Sequence, residues 1–304
     1  MAVRFTGIGR LLGRAAAAAA LFVACAGAAS AADNIEIPPE MLNPKPIYEQ
    51  QPAVDGINFK ASALTGVIGG YANHMFILSA AVPIPYFDQF GAQLDLGIGN
   101  YRSDYTSAAA GLHIFWRNPS IGLFGIYGDW GYVNPEHAGR TGFEGSLYLD
   151  RWTIDAFIGK QYGQHVFTKF VDEVDLSYYF TDNFKGSIGH RLTSRGHVAN
   201  LGFEYMPASY NGWSVYGEAE GGQDDYYGAW IGLRYSFGTG AANTLLERDR
   251  TADPIVRIPR NLASVTQCGD LPTTKPATWW RADMHNLCAS KDELADEGAV
   301  ITKH

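Results

Sequence analysis

From residue 58 to residue 238 the chain alternates between apolar and polar residues in short segments. The last segment, Tyr227 to Gly238, reads YGAWIGLRYSFG, and every second residue from Tyr227 is Tyr, Ala, Ile, Leu, Tyr or Phe. A period of two is typical of a β-strand whose two faces meet different surroundings. Pro83 and Pro85 weaken the second segment as a strand, because proline donates no hydrogen bond to a ladder. Twelve strands are predicted, at residues 58–69, 75–87, 90–101, 107–117, 122–132, 142–150, 152–160, 170–180, 184–192, 198–206, 213–221 and 227–238.

One face of the predicted strands is apolar and the other collects the charged residues. In the last segment, Ile231 and Leu233 share the apolar face, and Arg234 lies on the opposite face. If the apolar faces point outward into lipid, the charged side chains line the inside of a barrel. This assigns fifteen side chains to the lumen: Lys60, Asp95, His113, Arg117, Asp129, Glu144, Asp155, Glu173, Asp175, Lys185, Arg191, Glu204, Glu218, Glu220 and Arg234.

The alternation alone does not distinguish a membrane barrel from a secreted soluble β-protein that buries its apolar faces. Three features favour the barrel. Short connections alternate with somewhat longer, more polar ones, as between periplasmic turns and external loops. Aromatic residues gather near segment ends, as in IFW, SYYF and YSF, where interfacial girdles lie. Finally, open sheet edges are not tolerated in hydrocarbon, and an even number of strands closes into a barrel.

The predicted fold is therefore all-β: a twelve-stranded antiparallel transmembrane β-barrel over residues 56–238, in the outer membrane. With an even number of strands, both termini lie on one side, which we expect to be the periplasm. The expected partners are outer-membrane lipid and the assembly machinery, which reads an aromatic final strand such as the one ending at Phe237.

The N-terminal 32 residues are predicted to be a secretory signal peptide. Arg4, Arg10 and Arg14 precede the apolar run AAAAAALFVACAGAAS, and small residues before Asp33 offer a cleavage site. The alternatives are a buried N-terminal helix and a lipid anchor at Cys25. Residues 33–55 are rich in proline and aperiodic, which indicates an extended periplasmic lead.

Residues 239–304 are predicted to be a separate periplasmic tail. Thr244 followed by Glu247 forms the pattern of a helix capping box. Once the signal peptide is removed, Cys268 and Cys288 are the two remaining cysteines, and an exported pair favours one disulfide. The tail is either a disulfide-stabilised extension without other order or a contact for peptidoglycan or another periplasmic protein.

Composition excludes some functions. The formal net charge of −8 argues against nucleic-acid binding, and none is expected. After the signal peptide, no apolar run is long enough for a helical span, whereas 35 Gly, 17 Tyr and 16 Phe suit β-spans.

Catalytic and cofactor motifs are missing. The chain has neither a GxSxG elbow nor an HExxH helix. His113 and His190, with Ser146 and Ser187, leave open a barrel hydrolase acting on lipid or envelope substrates, but an enzyme is not the preferred interpretation. The residues at 224 and 225 are both aspartates, without a third oxygen ligand at suitable spacing. No metal and no cofactor are expected.

The predicted lumen is acidic, with nine carboxylates against five Lys and Arg side chains, so an open pore would favour cations mildly. In a barrel of this size, however, opposed charges can also neutralise each other and fill the bore. The sequence leaves two roles open, a small-solute channel and a closed structural barrel.

Three stretches carry a resemblance to a known group. FWRNPSIGLFGIYGDWG (115–131), DLSYYFTDNFKGSIGHRL (175–192) and TLLERDRTADP (244–254) resemble uncharacterised, porin-like outer-membrane β-barrel proteins of Gram-negative bacteria. The resemblance covers most of residues 56–254. It implies the compartment and the barrel, and it brings no established activity.

Overall fold

The computed structural model describes residues 51–261, except 69, 102–104, 134–135, 164–165, 194–195, 211, 224–225 and 241. Twelve strands, labelled β1 to β12 in chain order, and the helix α1 are followed by a helical turn at residues 258–261. The strands are Asn58–Ile68, Tyr71–Ile84, Phe87–Tyr101, Tyr105–Asn118, Gly122–Val133, Glu136–Leu149, Trp152–Gly163, Val166–Thr181, Phe184–Thr193, Gly196–Tyr205, Trp213–Gly222 and Tyr227–Gly238, and the helix is Leu245–Thr251.

The strands form one closed antiparallel barrel, as predicted. Each strand pairs with its neighbours in sequence, and β1 pairs with β12 to complete the ring. The closing register runs from Asn58 opposite Gly238 to Ile68 opposite Gly228. We call the end of the barrel that holds Asn58 and Gly238 the proximal mouth, and the opposite end the distal mouth.

The outer surface of the barrel is apolar. Leu96, Ile126 and Ile231, for example, lie outward with 48%, 52% and 51% of their surface exposed. The predicted outward row of the last strand, from Tyr227 to Phe237, is confirmed, and its inward partners Trp230 and Ser236 are buried. A soluble protein rarely exposes so continuous an apolar surface, which suits contact with lipid.

Aromatic rings concentrate on the outer surface near the proximal mouth. Phe59 stacks on Phe237 with ring centroids 5.3 Å apart. Further pairs continue around this rim: Tyr235 with Phe237, Trp213 with Tyr235, Phe184 with Tyr205, Phe180 with Phe184, Tyr178 with Phe180, and Trp152 with Tyr178. This rim has the composition of an interfacial girdle.

The predicted contrast between short and long connections is wrong. The strands on the distal side extend further than their alternation suggested, so only two to four residues separate them there. The longest connection, residues 206–212 between β10 and β11, lies at the proximal mouth. Backbone pairing therefore continues through polar stretches such as residues 136–141, because ladder hydrogen bonds do not require an apolar face.

The second strand is complete despite its prolines. β2 spans Tyr71–Ile84, with a register shift between Pro83 and Ile84. Pro83 is therefore next to its end and Pro85 lies just beyond it, where a missing donor interrupts few ladder bonds. Tyr86 then turns the chain with a positive φ of 69°.

The prediction that the tail from residue 239 is separate from the barrel is wrong for its first part. Residues 242–261, here called the lumenal segment, pack against the inside of the barrel. The predicted capping box is confirmed, because the Thr244 side chain accepts from the Glu247 backbone and the Glu247 side chain accepts from the Thr244 backbone. Residues 262–304, with Cys268 and Cys288, and residues 1–50, with the predicted signal peptide, lie outside the described part of the chain.

Within the described ranges, no helix has both the length and the apolar character needed to cross a bilayer.

Candidate functional site in the lumen

The structure places all fifteen sequence-predicted side chains on the inner face. Twelve of them are buried, and Lys185, Glu218 and Arg234 are partly buried. Several form ion pairs across neighbouring strands, such as Arg234 with Glu204, whose nearest atoms are 2.7 Å apart. Arg191 pairs with Glu220 and lies 3.5 Å from Glu218. The period of two thus identifies the polar wall, because successive side chains in a strand point to opposite faces.

His113 lies between two carboxylates at the wall. Its Nδ1 is 2.8 Å from Glu144 Oε1, and its Nε2 is 3.1 Å from Asp95 Oδ2. Ser146 donates to Asp155 instead, at 2.5 Å. On the outer surface, His190 contacts Asp172 and His197. In the parts of the chain that the structure describes, the contacts of these two histidines do not form the serine, histidine and acid constellation of a hydrolase.

Arg140 is a wall residue that the sequence analysis missed. It pairs with Asp129 on β5, with Nη2 and Oδ2 2.5 Å apart, and with Glu173 on β8. The predicted strand began at residue 142, whereas β6 begins at Glu136. Extending the period of two backward from Glu144 would have assigned Arg140 to the lumen.

The lumenal segment supplies two further arginines, which lie in a group of wall carboxylates. Arg257 Nη1 is 2.9 Å from Glu173 Oε2, and its Nε is 3.7 Å from Glu144 Oε2. Arg260 Nη1 is 2.5 Å from Asp175 Oδ2, and its Nη2 is 3.0 Å from Glu218 Oε2. Both arginines are almost fully buried. We call Glu144, Glu173, Asp175 and Glu218 the carboxylate cradle.

The lumenal segment runs deep into the barrel. Asn261 Nδ2 donates to Asp129 Oδ1 at 3.0 Å and to the Ala138 carbonyl at 3.2 Å. Ala138 is the third residue of β6, which starts at the distal mouth. The segment has therefore passed most of the height of the wall by Asn261.

Two wall glycines make room for this segment. A Cβ added to Gly97 or to Gly111 would lie 3.0 Å from the side chain of Ile258, which is fully buried. The two glycines are on neighbouring strands, β3 and β4. Their missing side chains form the seat of Ile258, a local reason for glycine in a strand.

The proximal mouth is closed by both ends of the described chain. Lys60 pairs with Asp253 and donates to the Pro254 carbonyl at 3.1 Å. On the N-terminal side, Ala53 and Val54 are fully buried, and Arg117 Nη1 donates to the Ala53 carbonyl at 3.0 Å. The N-terminal and C-terminal segments are also joined directly, since the Asp55 amide donates to the Thr251 carbonyl at 2.8 Å.

A cavity of about 140 Å³ lies in the lumen. It is lined by wall and lumenal-segment residues together, among them Lys185, Glu204, Arg234, Asp253 and Arg260. A cavity of this volume holds a few water molecules or one small solute. The lumenal segment thus occupies part of the lumen and forms one side of this cavity.

Enlarging Gly111 should loosen the segment without changing any charge. Gly111→Val is expected to weaken docking by about 1–3 kcal/mol, the usual cost of overpacking, because the new side chain overlaps the seat of Ile258. The measurement is protease cleavage within residues 242–261 of the folded full-length protein. Gly221→Val is the matched control, because a Cβ at Gly221 meets no atom within 4 Å. Equal cleavage rates in the two variants would contradict this account of the glycine seat.

Comparisons with known proteins give structural similarity alone. No family model matches the chain, and no curated protein matches it. The structure is similar to the KdgM porin, with 12% sequence identity and a TM-score of 0.46, over 59% of this chain and 99% of that one. It is also similar to an outer membrane channel from Pseudomonas putida F1, with 9% identity and a TM-score of 0.46, over 64% and 99% of the two chains.

Outer membrane phospholipase A from Escherichia coli is a third similar structure. It has 13% identity and a TM-score of 0.39, over 61% of this chain and 93% of the phospholipase. Because sequence identities this low show the fold alone, the function of this chain is inferred from its own geometry.

Proposed function

We propose that the protein is a porin-like barrel of the outer membrane, a channel for small solutes whose lumen is closed by its own residues 242–261. The observation that carries this proposal is how the lumenal segment is attached. It runs through the lumen without adding a strand to the wall, and its two buried arginines are held by side-chain ion pairs to the carboxylate cradle. A wall that carries nine carboxylates and six Lys and Arg side chains can become hydrated when the segment leaves.

The outer surface supports the membrane location. Its exposed leucines, isoleucines and phenylalanines match the hydrocarbon core of a bilayer. The aromatic rim at the proximal mouth matches the bilayer interface. We place the proximal mouth on the periplasmic side, because both ends of the barrel wall are there, as in bacterial barrels. The N-terminal lead then begins in the periplasm, after export by the signal peptide of residues 1–32.

A closed structural barrel is the competing role, and conductance separates the two. A protease site inserted after Gly240, beside the exposed Thr239, allows the folded full-length protein to be cut between β12 and the lumenal segment. We expect the intact protein to conduct poorly in planar bilayers. After cutting and a high-salt wash, discrete conductance steps are expected, because the ion pairs that retain the segment are weakened and it can leave.

The matched control carries the same site beside Tyr210, an exposed residue in the β10–β11 connection. A cut there leaves the lumenal segment attached, so the conductance should stay low. A barrel that loses the segment, keeps its heat-modifiable migration on gels and still shows no steps is a structural barrel, and the channel proposal is then wrong.

We also propose a bond and a contact for the end of the chain. Cys268 and Cys288 are expected to form a disulfide, and residues 262–304 to contact peptidoglycan or a periplasmic protein. Alkylation of purified protein before and after reduction tests the disulfide by mass. Two free thiols before reduction would exclude it.

A further inference from the structure

The carboxylate cradle has the form of a binding site that the chain itself occupies. Its four carboxylates come from three separate strands: Glu144 from β6, Glu173 and Asp175 from β8, and Glu218 from β11. They surround two guanidinium groups that belong to another part of the chain. Each guanidinium reaches two different carboxylates at once, Arg257 to Glu173 and Glu144, and Arg260 to Asp175 and Glu218.

The wall keeps these carboxylates in place independently of the segment. Asn200 on β10 donates to Asp175 Oδ1 at 2.7 Å, and Arg140 pairs with Glu173. His113 contacts Glu144, and Arg191 lies near Glu218. Because these contacts come from the strands, the carboxylates retain their positions when the lumenal segment moves.

Charge balance shows what the cradle requires. With Arg140 added to the predicted set, the wall carries nine carboxylates and six Lys and Arg side chains. Arg257 and Arg260 bring two bases to the cradle itself, whereas Asp253 of the same segment pairs with Lys60 at the proximal mouth. Asp175 has no cationic partner other than Arg260 among the ion pairs of the described residues. Departure of the segment thus leaves an acidic site in a confined lumen, which favours entry of another cation.

The geometry selects among cations. Carboxylates at different heights and on different strands suit a solute with two cationic groups on a chain, since Arg257 and Arg260 are separate centres three residues apart. Planar guanidinium groups make two directed hydrogen bonds to carboxylates, and alkali ions make none.

We propose that the cradle is the solute site of the channel, that it binds guanidinium- or amine-bearing dications, and that Arg257 and Arg260 are the internal stand-in for that solute. This inference rests on the proposed channel function. It adds that the segment closes the pore by occupying the place of the solute.

The test uses the full-length protein cut after Gly240 and freed of its segment. Agmatine, with one guanidinium and one amine, is added to one side of the bilayer while sodium carries the current. We expect agmatine to block the steps at concentrations at least tenfold below those at which ethylamine, a single amine, does so. Asp175→Asn combined with Glu218→Gln is expected to raise the blocking concentration at least tenfold.

Glu204→Gln combined with Glu220→Gln is the charge-matched control, and Glu220 pairs with Arg191 outside the cradle. Glu204 also lies on the inner face but contacts Arg234 and Ser214, outside the cradle. Block by agmatine should persist in this variant. If both variants lose agmatine block equally, the block reflects general electrostatic attraction in the lumen. The proposal of a specific site in the cradle is then wrong.

The outcomes separate the two proposals. Without conductance steps after the segment leaves, the channel proposal fails. If conductance steps appear but agmatine blocks them no better than ethylamine does, the channel proposal is supported and the cradle inference is wrong. If the Asp175→Asn, Glu218→Gln variant conducts, it has folded. A loss of agmatine block in that variant is then due to the change in the cradle.

Discussion

Replacing Glu173 by leucine is expected to lower the free energy of unfolding by about 3–5 kcal/mol, the usual cost of removing one partner from a buried ion-pair network. Glu173 is the hub of the lumen, because Arg140, Arg257 and Arg260 all lie within ion-pair distance of its carboxylate. All four side chains are buried. A leucine cannot accept from any of the three guanidinium groups, and they then repel one another in a site of low dielectric.

Urea unfolding of the refolded barrel in detergent or lipid measures this loss. Asp182→Asn is the control, because Asp182 pairs with Arg151 at 3.0 Å but the two side chains are 53% and 39% exposed. Exposed pairs contribute under about 1 kcal/mol, so this variant should unfold close to the wild type. A Glu173→Leu protein as stable as Asp182→Asn would show that the wall and the lumenal segment do not depend on this network.

Placing an arginine at Leu96 is expected to cost about 2–4 kcal/mol of stability in a bilayer, as for charges near the midplane of other barrels. Leu96 lies in the middle of β3 and is 48% exposed on the outer surface. Its partner across the strand pair is Ala110, so the new guanidinium has no carboxylate opposite it. If the outer surface meets lipid, the charge is buried in hydrocarbon.

The same substitution at Tyr86 provides the comparison. Tyr86 is 99% exposed in the turn between β2 and β3, at the proximal mouth, where a charge reaches water or head groups. Tyr86→Arg should therefore assemble and fractionate with membranes normally, while Leu96→Arg yields less folded barrel. If both variants were equally soluble and equally stable, the apolar outer surface would not be facing lipid, and a secreted soluble β-protein would be favoured.

Sequence periodicity alone was sufficient to predict which residues of the barrel wall face inward and which face outward. The alternation around Leu112, His113 and Ile114, for instance, places His113 inward and its neighbours outward, and the structure does the same. Such a period is local and is repeated over a whole strand, so each face is determined by many residues. The ends of the strands were harder to predict from the sequence, because backbone hydrogen bonding continues through polar stretches such as the one around Arg140.

The lumenal segment could not be predicted in the same way. Arg257 and Arg260 lie on either side of Pro259 and belong to no alternating pattern in the sequence. Their position depends on carboxylates about forty to more than a hundred residues away along the chain, and only the closed ring brings these together. The excess of wall carboxylates over wall bases was the one available signal, since buried charge of one sign requires a source of the other.

The attachment of the lumenal segment directly to β12 also has a consequence for the order of assembly. The seam between β1 and β12 joins residues 180 positions apart, such as Asn58 and Gly238, and is the last and entropically most costly pairing of the ring. Residues 242–261 follow this seam in the chain, and the Thr239 amide already donates to the Ile57 carbonyl across it. Their two arginines meet carboxylates from three separate strands, β6, β8 and β11, which the closed ring brings together. Hydrogen exchange should therefore show residues 242–261 opening as a late-formed unit, at a lower free energy than the wall that surrounds them.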